Sequence, residues 1–121
     1  TKGRDFIEDA CIPIPHLPEY VEKVRQLCLQ EGIHRTSIYA HESVGVVHIV
    51  PAINLHDPAE VTKMERIARQ AFQWTMEYGG SWSGEHGDGQ LRGQFLPEMF
   101  GDKLYQAFRE VKAMFDPLGL M

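Results

Sequence analysis

Two stretches of the chain carry side chains that could bind a metal ion or move a proton. His41 and His48 flank the sequence ESVGVV, and Glu85 and His86 stand together in GGSWSGEHGDGQLR, which runs from 79 to 92. Imidazole nitrogens suit zinc and related divalent ions, and a carboxylate adds a hard oxygen ligand. An imidazole is also a common general base, because its unperturbed pKa lies near neutral pH. These residue types therefore allow a metal site with a neighbouring base.

Each stretch also has a less specific interpretation. Two histidines beside a turn are commonly polar loop residues, and a glycine-rich loop can serve only to turn the chain before a helix. Such loops also bind phosphate groups, but no Lys-Ser or Lys-Thr pair follows this one and no GxGxxG motif occurs. His16, His34 and His56 lie at turns or helix starts, where capping or surface roles are typical.

The elements that must position these residues follow from apolar spacing and from the glycines and prolines between segments. Asp57 is a suitable N-cap for the clearest helix, Pro58 suits its first turn, and Glu60 is placed for a capping box. The predicted elements are a strand in 6–14, a helix in 17–32, hairpin strands at 36–40 and 46–50, a helix in 56–80, a short strand or extended entry to the loop in 79–85, and a last helix in 102–117.

The order of these elements is β-α-β-β-α-β with an extra C-terminal helix. It predicts an α+β, ferredoxin-like fold in which an antiparallel sheet carries helices on one face. The last helix is expected to bury an apolar stripe made of Leu104, Phe108, Val111 and Phe115. Since this fold hosts many unrelated functions, the function has to be argued from the site.

Length and composition narrow the classes of protein. The 121 residues suggest a single domain, 1–121, of ordinary globular composition. A net charge of −5 gives no general attraction to nucleic acid, and no apolar run is long enough for a membrane span. The start, TKGRDFIEDA, lacks the apolar stretch of a signal peptide. Cys11 and Cys28 lie in apolar segments, which predicts two buried, reduced thiols in a cytoplasmic protein.

From Ser83 onward the sequence closely resembles the C-terminal domain of FAD-linked oxidases. This is the group of D-lactate dehydrogenases, the glycolate oxidase flavin subunit and D-2-hydroxyglutarate dehydrogenases. Its pattern has Gly-Glu-His-Gly-x-Gly, then Arg, then Phe-Gly, then a helix ending in Phe-Asp-Pro. The matching residues are Gly84, Glu85, His86, Gly87, Gly89, Arg92, Phe100, Gly101, Phe115, Asp116 and Pro117.

The resemblance extends to two earlier segments. IEDACIP resembles the entry strand of the family, and HESVGVVH resembles its His-x-Gly-Asp-Gly-Asn-x-His segment. The spacing from His41 to His48 and the glycine at Gly45 are kept, whereas Val44 and Val46 stand where the family has Asp and Asn.

The resemblance implies a divalent metal, zinc or manganese, held by His41, His48 and Glu85, with His86 as the catalytic base. A 2-hydroxy acid would fill open metal positions with its hydroxyl and carboxylate, and FAD would accept the hydride. The resemblance also implies cofactor contacts, which would be made by Gly87, Gly89 and Arg92.

The resemblance further implies that the chain is the substrate domain of a larger flavoprotein. The FAD-binding domain of the same protein would be its main partner and would hold most of the FAD. An iron–sulfur centre is a candidate electron acceptor, and the whole enzyme would be cytoplasmic or peripheral to the inner membrane. From the residues alone two other functions stay open: a ferredoxin-like binding or regulatory module without catalysis, and an independent metal hydrolase that uses the same histidine and carboxylate set.

Overall fold

A computed structural model describes residues 2–121. The chain divides into two compact units, the first ending at Asp88 and the second running from Gly89 to Met121. Each unit is described by itself below. The single domain that the length suggests stays a prediction.

The first unit is built on a four-stranded antiparallel sheet whose centre is its last strand. This strand, β4, pairs with β3 along one edge, while β1 and β2 follow one another along the other edge. The bounds of the strands are Lys2–Gly3 for β1, Ile7–Cys11 for β2, Thr36–His41 for β3 and Val46–Ile53 for β4. The central position explains the apolar sequence of β4, which is covered from both sides.

Two helices pack on each other and on β4. The first, α1, spans Leu17–Gln30, and the second, α2, spans Pro58–Glu77. The Asp57 side chain accepts a hydrogen bond from the backbone N–H of Ala59 and caps α2, as the sequence predicts. The structure does not show the expected capping box. The N–H of Asp57 donates to the Asn54 carbonyl at 3.1 Å, and the Glu60 carboxylate pairs with Lys63 at 2.7 Å.

The core of the first unit lies between these helices and the sheet. Phe72 of α2 meets Trp82 edge to face, with ring centroids 5.5 Å apart, and both side chains are buried. Both cysteines are free thiols, as predicted, but only Cys28, in α1, is buried, whereas Cys11 is partly exposed. Burial raises the pKa of the Cys28 thiol to about 11, so this residue behaves as a core side chain.

The second unit consists of the short helix α3, Gly89–Arg92, a 3₁₀ turn at Gly93–Phe95 and the helix α4, Leu96–Phe115. The predicted last helix therefore begins six residues earlier, with a break in its helical backbone at Gly101. Lys112 and the backbone N–H groups of Leu120 and Met121 donate to Asp116, and these hydrogen bonds lower the pKa of its carboxyl to about 2.

The apolar stripe of α4 is exposed, so the expectation that it faces inward is wrong. Its side chains are between 41% and 77% exposed: Leu104, Phe108, Val111 and Phe115. The physical reason is that helical spacing identifies one apolar face but does not supply a facing element. The other regular elements of its own unit are one short helix and one 3₁₀ turn, which are too small to cover this face of α4.

The α+β class and the antiparallel sheet are confirmed. Of the two alternatives for 79–85, the structure has the extended entry to the loop and not a full strand, since among the described residues a single antiparallel bridge joins Ser81 to Cys11. That bridge lies beside β2 on the side away from β4, which gives the spatial order β3, β4, β2 and then Ser81. The finer ferredoxin-like assignment stays a prediction.

The hairpin between β3 and β4 depends on a glycine. Gly45 has φ of +74°, and a Cβ there would lie 2.1 Å from the carbonyl oxygen of Ile12. Gly79 has a similar φ of +69° but no heavy atom within 4 Å of a Cβ. A side chain at Gly45 would meet both backbone strain and a steric clash, whereas a side chain at Gly79 would meet the backbone strain alone.

Gly45→Ala is expected to lower the free energy of unfolding by at least about 3 kcal/mol, because overpacking adds to backbone strain. The matched control Gly79→Ala should lose only about 1–2 kcal/mol, the strain alone. Urea unfolding followed by circular dichroism measures both. Equal losses would show that the contact with Ile12 contributes nothing.

Candidate metal and catalytic site

The hairpin brings His41 and His48 together on one face of the sheet. Tyr39 pairs with His48 across the two strands, and His41 lies two residues further along β3. Such diagonal neighbours point to the same face. The two imidazole rings are perpendicular with centroids 5.3 Å apart, and Tyr39 stacks on the His48 ring at 4.8 Å. The predicted histidine pair is therefore adjacent in space.

The segment that carries Glu85 and His86 reaches this pair by crossing over β2. Ser81 exchanges two backbone hydrogen bonds of 2.8 Å with Cys11, and the N–H of Gly84 donates to the Asp9 carbonyl at 2.8 Å. A Cβ at Gly84 would lie 2.6 Å from Cγ2 of Val46, so the loop lies flat on the sheet only because this residue is glycine. The far edge of the sheet is thereby connected to the hairpin.

Asp9 of β2 fixes this loop in place. Its carboxylate accepts from the Ser83 hydroxyl at 2.6 Å, from the Glu85 N–H at 3.1 Å and from the His86 N–H at 2.9 Å. The residue is fully buried. Three donors replace the water that a buried carboxylate loses, so the charge is compatible with its position.

A β-bulge places two acids at the same point of the sheet. Ile7 pairs with Ile49 and Ala10 with Val47, so Glu8 and Asp9 together stand opposite the single residue His48. In a regular strand two successive side chains would point to opposite faces. With the extra residue, both carboxylates have polar contacts with the His86 residue, one to its ring and one to its backbone.

One carboxylate oxygen lies at the centre of the cluster. Oε1 of Glu85 is 3.4 Å from Nε2 of His41, 3.3 Å from Nε2 of His48 and 3.1 Å from Nε2 of His86. The exposed fractions of the side chains differ: 57% for His41, 2% for His48 and 51% for His86. The cluster is therefore anchored at His48 and open on the other side.

Glu8 contacts the Nδ1 atoms of two of the three imidazoles. Its backbone carbonyl accepts from Nδ1 of His48, and its carboxylate Oε2 lies 2.8 Å from Nδ1 of His86. A carbonyl or carboxylate oxygen can only accept, so both Nδ1 atoms carry a proton when the rings are neutral. The free lone pairs of both rings are then at Nε2, on the side of Glu85.

The surrounding carboxylates change the acidity of His86. Partial desolvation lowers its pKa, but the hydrogen bond to Glu8 and the charges of Glu8, Asp9 and Glu85 outweigh this effect. The net result is a pKa above the ordinary value for histidine. The imidazole is therefore a stronger proton acceptor than it would be in water.

Two groups of side chains in the described part of the chain have ligand atoms close enough to share an ion. In each group the atoms lie within 4.8 Å of one another. The first group contains His41, His48 and Glu85, which is the set predicted as metal ligands, and the second contains Glu8, Asp9, His48 and His86. The two groups meet at His48.

The three residues predicted to contact a cofactor are placed as follows. Gly87 follows the cluster directly with φ of +75°, and Gly89 begins α3 with φ of +59°. Arg92 ends α3 in the second unit and is buried. Their role stays a prediction.

Sequence reasoning missed Glu8, Asp9 and Tyr39 as parts of the site. Two adjacent acids inside an apolar strand were the available signal, because buried acidic residues are rare unless they are paired. The resemblance of IEDACIP to the entry strand of the family gives neither acid a role in the site. Nothing in the sequence marked Tyr39 as part of the site, because aromatic residues are common in β-strands.

A comparison with protein families decides the class of the chain. The family model described as FAD linked oxidases, C-terminal domain, matches residues 1–121. The chain belongs to this family.

Several curated proteins are similar to this FAD-linked oxidase domain. It is 38% identical over 117 residues to D-2-hydroxyglutarate dehydrogenase of Escherichia coli K12, covering 97% of this chain and 11% of that protein. It is 30% identical over 116 residues to the glycolate oxidase subunit GlcD of the same strain, covering 96% of this chain and 23% of that subunit. D-lactate dehydrogenase of Archaeoglobus fulgidus is 29% identical over 113 residues, which cover 93% of this chain and 24% of that enzyme. The chain thus spans about a tenth to a quarter of the length of these relatives.

In the described part of this FAD-linked oxidase domain, residues 2–121, no helix combines the length and the apolar character that a membrane span requires.

Asp9→Asn is expected to destabilise the FAD-linked oxidase domain by about 1–3 kcal/mol, because an amide has only one acceptor oxygen and leaves at least one donor of the loop without its partner. Hydrogen exchange should show lost protection at the amides of Glu85 and His86. The control Asp5→Asn removes an exposed acid just before β2 and should change stability by less than about 0.5 kcal/mol. Unchanged protection at both amides would contradict the anchoring role of Asp9.

Proposed function

We propose that this chain is the substrate- and metal-binding domain of an FAD-dependent dehydrogenase that oxidises a D-2-hydroxy acid. The observation that carries the proposal is the convergence of the Nε2 atoms of His41, His48 and His86 on one carboxylate oxygen of Glu85. The names of the similar proteins supply the substrate class, since D-2-hydroxyglutarate, glycolate and D-lactate are all 2-hydroxy acids.

The donor set fits a divalent ion of the zinc or manganese type. A tetrahedral ion with bonds of about 2.0–2.1 Å separates neighbouring ligand atoms by about 3.3–3.4 Å. Glu85 Oε1 lies 3.3 Å from Nε2 of His48 and 3.4 Å from Nε2 of His41, which agrees with that separation. The Glu8 carbonyl orients His48 through its other nitrogen, as is usual for a histidine ligand.

The charges of the site also favour a bound cation. Glu8, Asp9 and Glu85 bring three carboxylates to the cluster, and the chain has a net charge of −5. The anion of a hydroxy acid would be repelled by this arrangement. When bound, a divalent ion supplies positive charge for the substrate carboxylate and lowers the pKa of the substrate hydroxyl.

His86 is proposed as the general base. Its Nε2 lone pair lies 3.1 Å from Glu85 Oε1, beside the proposed ligands, and its side chain is half exposed. His86 takes the hydroxyl proton of the substrate at Nε2, and Glu8 at Nδ1 stabilises the imidazolium that results. The products are a 2-oxo acid and a reduced acceptor.

FAD is proposed as that acceptor and as a ligand of another part of the same polypeptide. When bound, FAD supplies the two-electron sink for the hydride that leaves the α-carbon. No GxGxxG fingerprint occurs in this chain, so its own contribution would be limited to the proposed contacts of Gly87, Gly89 and Arg92. An FAD-binding domain is the expected partner, and an iron–sulfur centre remains a candidate for the next electron acceptor.

His41→Ala is expected to weaken Zn²⁺ binding to the chain by at least about 100-fold, because a direct ligand contributes more than an outer one. Isothermal titration with Zn²⁺ measures the affinity. The matched control is His56→Ala, which removes an exposed histidine before α2 and should leave the affinity unchanged. Equal affinities for the two variants would exclude the proposed ligand set.

His86→Ala, made in the flavoenzyme that carries this chain, is expected to lower kcat for a D-2-hydroxy acid by about 10²–10⁴-fold through loss of the general base. The Zn²⁺ affinity of the 121-residue chain should stay unchanged, since His86 is not among the proposed ligands. Stopped-flow reduction of the flavin measures the first effect and titration the second. Turnover at the rate of the unaltered enzyme would remove His86 from the mechanism.

A further inference from the structure

We infer that Glu8 is a positioning residue that holds His86 in the tautomer with its proton on Nδ1 and its lone pair on Nε2. The inference rests on the proposed role of His86 as the base. It extends that role to Glu8, whose carboxylate makes its hydrogen bond with His86 and with none of the three proposed metal ligands. Glu8 would form with His86 the acid–histidine pair that orients a general base.

The contacts of Glu8 divide between its backbone and its side chain. The backbone carbonyl accepts from Nδ1 of His48, a proposed ligand, and the carboxylate contacts Nδ1 of His86 at 2.8 Å. The distance from the carboxylate to Nδ1 of His48 is 3.6 Å, which is too long for a hydrogen bond. A change of the side chain therefore acts on His86 and leaves the carbonyl at His48 in place.

The position of Glu8 suits this role because the carboxylate is held and shielded. Its side chain is only 12% exposed, whereas the His86 side chain is 51% exposed. The β-bulge opposite His48 directs Glu8 towards the ring of His86, and Asp9 beside it holds the backbone of His86. Ring and backbone of His86 are thus fixed by two consecutive residues of one strand.

The tautomer matters because Glu85 and the proposed substrate position lie on the Nε2 side. A neutral imidazole with its proton on Nε2 would present a donor there and could not accept the hydroxyl proton. A carboxylate at Nδ1 can only accept and therefore favours the useful tautomer. Oε1 of Glu85 is a second acceptor, 3.1 Å from Nε2, and a cation bound to Glu85 would remove its competition for the proton. A carboxamide can either accept or donate, so it would permit both tautomers without changing the shape of the side chain.

Glu8→Gln tests the inference because it keeps the size of the side chain and removes only the selectivity for one tautomer. In the flavoenzyme, kcat is expected to fall about 10- to 100-fold, the usual effect of losing an outer orienting partner. In the 121-residue chain, the Zn²⁺ affinity should fall by much less than kcat, because Glu8 contributes charge near the ion but is not among the proposed ligands. Long-range ¹H–¹⁵N spectra at alkaline pH should show His86 protonated on Nδ1 in the unaltered Zn²⁺-loaded chain and a mixture of tautomers in the loaded variant.

Glu42→Gln is the matched control. Glu42 is exposed and follows His41 directly, so its replacement removes the same charge near the cluster without touching His86. It should leave kcat and the His86 tautomer unchanged. An equal fall of kcat in both variants would assign the effect to net charge and overturn the inference.

Two further results would also overturn it. One is a Glu8→Gln variant whose His86 keeps its proton on Nδ1, and the other is a fall in Zn²⁺ affinity as large as the fall in kcat. Failure of the proposed function is recognised separately, because His86→Ala would then retain turnover. In that case the tautomer spectra alone still decide whether Glu8 holds the ring.

Discussion

The carboxylate of Asp9 is fully buried, and a charge withdrawn from water is tolerated only where hydrogen bonds replace its hydration. Here the replacement comes from the loop that crosses β2, through the Ser83 hydroxyl and the N–H groups of Glu85 and His86. The dependence is mutual, because the loop needs the acceptor as much as the acid needs the donors. Without this exchange neither Glu85 nor His86 would have a defined place beside the hairpin.

The hairpin half of the site follows closely from the sequence. A spacing of seven residues around a turn puts His41 and His48 on neighbouring strands, and the observed register makes them diagonal neighbours on one face. The other half does not follow from local pattern. Glu85 reaches the two histidines only because its loop lies flat across β2. The close approach of Gly84 to Val46, which allows this path, is visible in the structure but not in the sequence. The family resemblance, not periodicity, supplied that connection.

Glu8 and Asp9 show where sequence reasoning ends for this fold. Regular alternation assigns two consecutive strand residues to opposite faces, and nothing in IEDACIP marks the bulge that brings both acids to the cluster. The α+β class and the main helices were predictable because apolar spacing and the Asp57 cap act locally. The orientation of α4 was not, since the exposure of its stripe depends on what packs against it.

The β-bulge makes the site sensitive to the length of β2 as well as to its residue types. Only Glu8 and Asp9 lie between Ile7 and Ala10, so deleting either one would restore an even ladder and leave a single acid opposite His48. A substitution changes one side chain in place, whereas a deletion here removes one acid and repositions the other. The number of residues between two buried apolar positions of β2 is thus part of what sets the geometry of the cluster.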